Sequence, residues 1–222
     1  ENDIRVCTYN LLAPVTVRDD SLQYRSCDKK CMSWNNRFKK IKDEIMSIEP
    51  DLICLQEVQT DLAYSEIVSD FNSKGYQGIY IPKKYVPLKK TNTFGNIILF
   101  KVERFIAINF STIDYHKIAK KILDLPAVMR SFCGLQIELY DRQTKKELIV
   151  CCIHLEWNPV YSDIKNLQAY VLMNVLNESS NNNSKPVLLC GDFNSDPSSA
   201  VYHGITTGKS SNVFDEKTKP II

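Results

Sequence analysis

The chain has 222 residues, 44% of them hydrophobic, and a formal net charge of +2 at pH 7. That length suits one large globular domain over residues 1–222 with a sizeable core, and the near-neutral balance excludes a global basic field, so a nucleic-acid partner must meet a local basic groove. No apolar run approaches the ~20 residues of a membrane span, and no charged-then-apolar leader opens the chain.

Glu1 in place of methionine points to a trimmed start. Ile4–Tyr9 reads as a buried strand that ends in polar Asn10, and residues 16–33 as a long irregular loop. From Trp34, apolar residues recur at Phe38, Ile41, Ile45 and Ile48, a helical stripe closed by Pro50. Asp51–Leu55 is a short strand running into Gln56 and Glu57; Asp61–Phe71 is a helix and Tyr76–Ile81 a strand. Residues 82–93 are basic and proline-interrupted, hence a loop. Asn96–Phe100 and Phe105–Phe110 are strands, and His116–Leu125 fits a short helix. Phe132–Tyr140 and Glu147–His154 form a hairpin across a charged turn. Asp163 is placed to cap a helix striped by Ile164, Leu167, Val171, Leu172, Val175 and Leu176. A polar loop, NESSNNNS, leads to the strand Val187–Cys190, then to a turn or helix over Ser198–Ile205 and a polar tail from Thr206. Several strand-to-strand steps lack a helix, which favours mixed sheets over a purely parallel one.

Six of the eight cysteines, Cys7, Cys54, Cys133, Cys151, Cys152 and Cys190, sit in apolar runs. Buried thiols of that kind suit a reducing, intracellular compartment. Cys27 and Cys31 stand apart in CDKKC; with no second pair at metal-ligand spacing, they read as surface thiols.

Four apolar strands end in the same way: in Asn10, in Glu57, in His154, and in Asp192 with Asn194. A sheet fixes whatever stands at its strand ends while the loops stay adaptable. Glu57 and Asp192 are hard oxygen donors of the kind magnesium takes, with water and phosphate oxygens completing its shell. Asn10 and Asn194 add neutral amides that can hold a phosphate oxygen or a water, and His154 can donate to a phosphoryl oxygen. Together they describe metal-assisted attack on a phosphate ester. Each signal alone has a plainer reading, since Asp-x-Asn after a strand is commonly a turn or cap; their co-occurrence carries the functional one.

TYNLLAP, DLICLQEV, HLEWNP and GDFNSDP follow one another in the order seen in the endonuclease/exonuclease/phosphatase superfamily, which the chain resembles over roughly residues 4–208. SWNNRFKKIKDEI and HLEWNPVYSDIKNLQ are similar to segments of its deadenylase branch, the carbon-catabolite-repressor, Angel and nocturnin types. The resemblance implies an α/β fold, a two-sheet mixed β-sandwich flanked by helices. It implies a magnesium-dependent (or manganese-dependent) 3′-exoribonuclease that releases AMP from single-stranded poly(A) RNA, in the cytoplasm and also the nucleus. On it, Glu57 and Asp192 hold the metal and Asp192 also acts at the attacking water. Asn194 orients phosphate or water, Asn10 supports the metal-bound phosphate and His154 contacts the scissile phosphate. Pro159, with Arg37, Trp157 and Asn158, binds substrate. The family's closing strand with its aspartate–histidine pair has no counterpart before Ile222, so the expected domain lacks its last strands, and His203, in VYHGI, reads as a helix face.

Basic positions open to phosphates are Lys29, Lys30, Arg37, Lys39, Lys40, Lys83, Lys84, Lys89, Lys90 and Arg130. Lys83–Lys90 with Tyr85 suits a single strand by backbone contact and stacking, or is simply a solvated loop. Trp157 either stacks on a base or packs under the following helix. Two alternatives stay open: a small-nucleotide enzyme, acting on 2′-5′ oligoadenylate or a phosphorylated dinucleotide, and a non-catalytic RNA-binding or scaffold module.

Overall fold

The structure, a computed structural model, describes residues 3–17, 24, 26–83, 93–123, 133–181 and 184–208. Eight strands form two four-stranded mixed sheets. The first holds β1 (Val6–Asn10), β2 (Leu52–Gln59), β3 (Tyr76–Pro82) and β4 (Phe94–Lys101) in the order β1-β2-β4-β3. The second holds β5 (Phe105–Asp114), β6 (Cys133–Asp141), β7 (Lys146–His154) and β8 (Val187–Asp192) in sequence order. Among the described residues, the helices are α1 (Lys29–Met32), α2 (Trp34–Ser47), α3 (Thr60–Leu62), α4 (Ser69–Asn72), α5 (Tyr115–Leu123), α6 (Ser162–Ser179) and α7 (Ala200–Thr207), with a π-helical stretch, Ala63–Val68, joining α3 to α4.

Each sheet contains one parallel pair, β1 with β2 and β7 with β8. Parallel neighbours need a crossover, and helices supply it: α2 between β1 and β2, α6 between β7 and β8. The sheets stack face to face, and Leu52, Cys54, Ile98 and Phe100 meet Leu135, Ile137, Leu139, Val150 and Cys152 between them. On the outer face of the first sheet, Phe38, Ile41 and Ile45 of α2 cover Ile53, Leu55, Ile97 and Leu99. On the outer face of the second, Leu167, Val171 and Leu172 of α6 cover Cys151 and Ile153. Strands covered on both faces must be apolar on both, which explains the unbroken runs Leu52–Leu55 and Ile97–Phe100. β5 is the exception: at the sheet edge, it leaves Ile106, Ile108 and Phe110 exposed.

One end of the sandwich is closed by a buried ion network. Arg104, 4% exposed, reaches Asp51 Oδ2 at 2.9 Å and Asp141 Oδ2 at 3.2 Å, and donates to the Asp3 carbonyl at 2.7 Å. It thereby ties the start of β2 to the end of β6.

Several expected boundaries shift. β2 continues past Leu55 to Gln59, through an irregularity between Leu55 and Val58. β5 extends to Asp114, because its pairing with β6 continues to Cys133. The expected 16–33 loop contains α1, capped by Asp28, whose side chain accepts the Lys30 N–H. Asp163 is not the cap of α6; it lies in the first turn, and the preceding 3₁₀ turn Pro159–Tyr161 leads the chain into the helix. Asn177–Ser179, expected in a loop, is the last turn of α6. Ile48 falls outside the buried stripe, 45% exposed, since the helix has ended by Ser47. Cys7, Cys54, Cys133, Cys151 and Cys152 are buried, Cys190 is half-buried, and Cys27 and Cys31 are exposed. Among the described residues, no helix is long and apolar enough to cross a membrane.

Candidate active site

The register brings the chemistry together. Asn10 pairs with Gln56 across β1 and β2, and His154 pairs with Asp192 across β7 and β8. All four strands therefore deliver their polar ends to one edge of the sandwich. The joining contact is the Asn10 side chain: its Nδ2 donates to Glu57 Oε1 and to Asp192 Oδ2, each at 3.0 Å. Two carboxylates 135 positions apart in the chain thus share one amide nitrogen. Asn10 Oδ1 accepts the Leu12 N–H at 2.9 Å, so the amide is held at both ends.

The loops around this point are strained. Leu12, Glu57 and Asn194 have φ of +52°, +53° and +48°. Left-handed backbone at non-glycine residues costs roughly 1–3 kcal/mol each and clusters where geometry serves function. At Glu57 it coincides with the irregularity in β2. Glu57 Oε2 lies 3.3 Å from both the Ala13 N–H and Thr16 Oγ1. Asp192 Oδ1 accepts the Asn194 N–H at 2.9 Å. Gly191 (φ +145°) is required here, because a Cβ would stand 2.1 Å from the Ile153 carbonyl oxygen. That close approach sets β8 against β7 and hence Asp192 beside His154.

His154 is 7% exposed, its ring 6.4 Å from that of Phe94 and tilted by 35°. It lines a cleft with Lys83, Phe94, Gly95, Asn96 and Cys133. Burial lowers the imidazole's proton affinity below its ordinary value, against the pull of Glu57 and Asp192. The ring is therefore neutral at pH 7, with one N–H to donate. Asn194 Nδ2 donates to the Leu155 carbonyl at 3.0 Å, which leaves its Oδ1 as an acceptor.

The expected substrate residues divide. Arg37 turns inward, donating to the Leu11 carbonyl at 2.7 Å and the Met32 carbonyl at 3.2 Å, with its plane over Trp34 at 5.6 Å. It braces the segment that carries Asn10. Trp157 is 62% exposed, so it does not pack under α6. Asn158 Oδ1 accepts the Val160 N–H at 3.0 Å and so caps the turn that begins at Pro159, which is itself exposed. Lys29, Lys30, Lys39 and Lys40 are exposed on α1 and α2, His203 is exposed on α7, and Lys83 Nζ lies 5.1 Å from the Phe94 ring centre. Lys84, Tyr85, Lys89, Lys90 and Arg130 lie outside the described residues.

Asn96 was not anticipated. It is buried and donates to the Cys133 carbonyl at 3.0 Å, stitching one sheet to the other under His154. A lone amide inside the run FGNIILF was its signal.

The donor set fits a hard divalent cation. Magnesium is typically held by one or two carboxylates, with water and phosphate oxygens filling its remaining positions. Glu57 and Asp192 are two such carboxylates, brought to one amide, and each oxygen keeps lone-pair capacity beyond its present hydrogen bonds. Among the described residues, no group of three or more His, Cys, Asp or Glu side chains is arranged to hold a metal, so water and substrate would have to complete the shell.

Known proteins place this arrangement. Residues 7–219 match the model of the Endonuclease/Exonuclease/phosphatase family. Mouse Protein angel homolog 2 is 33% identical over 213 residues, 93% of this chain and 37% of the relative. The Saccharomyces cerevisiae CCR4-Not complex 3′-5′-exoribonuclease subunit Ccr4 is 31% identical over 208 residues, 84% of this chain and 25% of the relative. Among solved structures, ANGEL2, a 2′,3′-cyclic phosphatase in complex with adenosine-2′,3′-vanadate, superposes with a TM-score of 0.78 at 30% identity, over 92% of this chain and 57% of that one. The human Nocturnin catalytic domain shares the fold, with a TM-score of 0.74 at 24% identity, over 90% of this chain and 68% of that one. The chain thus spans well under half the length of these curated relatives, and its kin include a 3′-5′-exoribonuclease subunit and a 2′,3′-cyclic phosphatase. It belongs to the Endonuclease/Exonuclease/phosphatase family.

Proposed function

We propose that this chain carries the centre of a magnesium-dependent hydrolase acting at the 3′ end of single-stranded RNA, a 3′-exoribonuclease that releases AMP from poly(A). The observation that carries the reading is the Asn10 amide shared by Glu57 and Asp192. Glu57 and Asp192 would hold the cation, with manganese as a substitute. When bound, it supplies Lewis-acid stabilisation of charge on the phosphoryl oxygens. Asn10 spends its N–H groups on the carboxylates, so its part is to set their separation. Neutral His154 donates its N–H to a non-bridging phosphoryl oxygen. Asn194 offers Oδ1 to a proton of the attacking water and orients it. Trp157, exposed beside the Pro159 turn, stacks on a base of the strand. On this reading the protein acts in cytoplasmic mRNA decay.

A second reading has a specific support, the 30% identity to ANGEL2 over 92% of this chain. It is removal of a 2′,3′-cyclic phosphate from an RNA end. The full-length protein should be given oligo(A) with a free 3′-hydroxyl and, separately, the same oligomer with a 2′,3′-cyclic phosphate, each with magnesium. AMP release from the first supports the exonuclease; opening of the cyclic phosphate alone supports the second. Inertness toward both, and toward 2′-5′ oligoadenylate and phosphorylated dinucleotides, would leave a non-catalytic module.

A further inference from the structure

One face of α6 reaches both loops that frame the site. Lys165 and Gln168, one turn apart, are neighbours on that face. Lys165 Nζ donates to the main-chain carbonyl of Asn194, the residue held at φ +48°. Gln168, fully buried, accepts the Glu156 N–H at 2.9 Å through its Oε1. Glu156, also fully buried, in turn accepts the Asn158 N–H at 3.0 Å through its Oε1. The first contact ends on the loop with Asp192 and Asn194, the second on the loop with Trp157, Asn158 and Pro159.

We infer that Lys165 and Gln168 are positioning residues that divide the work: Lys165 sets the loop at the reacting phosphate, and Gln168 sets the loop that holds the nucleotide. The inference rests on the hydrolase reading above. Asn194 sits in a strained conformation, and a cation on its carbonyl holds that peptide where the Asn194 N–H donates to Asp192 Oδ1 at 2.9 Å. Glu156 would otherwise bury an unsatisfied N–H, a penalty that Gln168 removes. Gln168 Nε2 has no hydrogen-bond partner among the described residues, so the Gln168 amide reaches this loop through its acceptor oxygen alone. Neither side chain reaches the carboxylates or His154 in the hydrogen bonds described here.

The two contacts predict opposite kinetic signatures. In the full-length protein, Lys165→Met should lower kcat about tenfold or more with KM little changed, since misplacement by about an ångström can cost as much as ~100-fold. Lys165→Arg should recover most of the loss, because it restores a cationic donor. Gln168→Met should raise KM several-fold with kcat within about threefold. Hydrogen exchange, read without substrate, separates this inference from the hydrolase reading. Lys165→Met should speed exchange at Asn194–Asp196 and not at Glu156–Asn158, and Gln168→Met the reverse. If wild type turns over no phosphate ester while exchange divides as stated, the hydrolase reading fails, and only the separate anchoring of the two loops by Lys165 and Gln168 stands. If the two variants lose kcat and KM alike in proportion to lost thermal stability, or exchange rises uniformly, or Lys165→Arg stays as poor as Lys165→Met, the inference is overturned.

Discussion

The two ends of the sandwich hold the same kind of material and use it differently. At one end, Arg104 lies between Asp51 and Asp141, and the charges answer one another. Asp141, 1% exposed, also accepts the Gln143 N–H at 2.9 Å and the Thr144 hydroxyl at 3.0 Å. At the other end, Glu57 and Asp192 meet at an amide, which satisfies hydrogen bonds but brings no positive charge. Anions with a matched cation close a structure; half-buried anions joined through a neutral donor keep a place for one. Left-handed φ occurs at both ends: at Leu12, Glu57 and Asn194 around the open end, and at Glu49 and Lys145 in the turns beside Asp51 and Asp141. The first end is a closed ion network and the second an open donor set, and β2 runs between them.

The largest separation of the two ends should come from Glu57→Gln in the full-length protein. It removes one of two metal donors, worth several kcal/mol, so magnesium-dependent hydrolysis should fall about a thousandfold or more. Thermal stability should hold or rise, because repulsion between two anions is relieved; near-normal turnover would refute the site. Arg104→Met is the complement. It leaves the buried Asp141 carboxylate without its cation, while Asp51 keeps Lys101 at 3.2 Å; breaking such a buried pair typically costs ~3–5 kcal/mol. Urea unfolding should show the loss, while kcat per folded molecule stays within about twofold. A fall in kcat instead would mean the ends are not independent.

A pH titration of metal-free protein should sharpen the contrast. For His154 the folded state holds its proton less tightly than the ordinary 6.5, chiefly through burial. Below about pH 6.5 the unfolded chain binds more protons, so stability falls as the pH drops through that region until the folded group also titrates. For Asp141, burial raises the proton affinity, but the Arg104 hydrogen bonds and those of Gln143 and Thr144 outweigh it, leaving the carboxyl below its ordinary 3.8. Its contribution is intact above about pH 3.8 and is lost only in stronger acid. Two acid steps should appear; His154→Phe should remove the upper one and leave the lower. The smallest effect belongs to Trp157→Ala. With the ring 62% exposed, folding stability should move by no more than about 0.5 kcal/mol, while affinity for oligo(A) weakens measurably.

The open end was legible in the sequence and the closed end was not. Asn10, Glu57, His154 and Asp192 each follow an apolar run directly, and a polar residue at that place breaks the pattern visibly. Asp51 and Arg104 sit in connecting segments and Asp141 at the very end of β6, beside a turn, where charge is the ordinary composition; only the folded arrangement reveals that they meet and that Arg104 and Asp141 are buried. The same reason hid Lys165 and Gln168, which look like the polar side of an amphipathic helix. Asp163 misled for a local reason: it is a good capping residue, yet the Asn158-capped turn had already started the chain coiling. Strand ends were underestimated at Glu57 because a left-handed residue inside β2 lets pairing resume at Val58, and nothing in the residue types announces it. Arg37, expected against the substrate, donates to the Leu11 carbonyl next to Asn10, a contact that nothing in its sequence position announces.

The bond from Asn10 to Asp192 spans 182 positions. It joins the first strand described here to the last. A nascent chain, folding from its N-terminus as it is made, would hold Asn10 and Glu57 in place long before Asp192 exists. The meeting of the two carboxylates at one amide therefore waits until synthesis has passed β8, and its timing is written into the order of the strands.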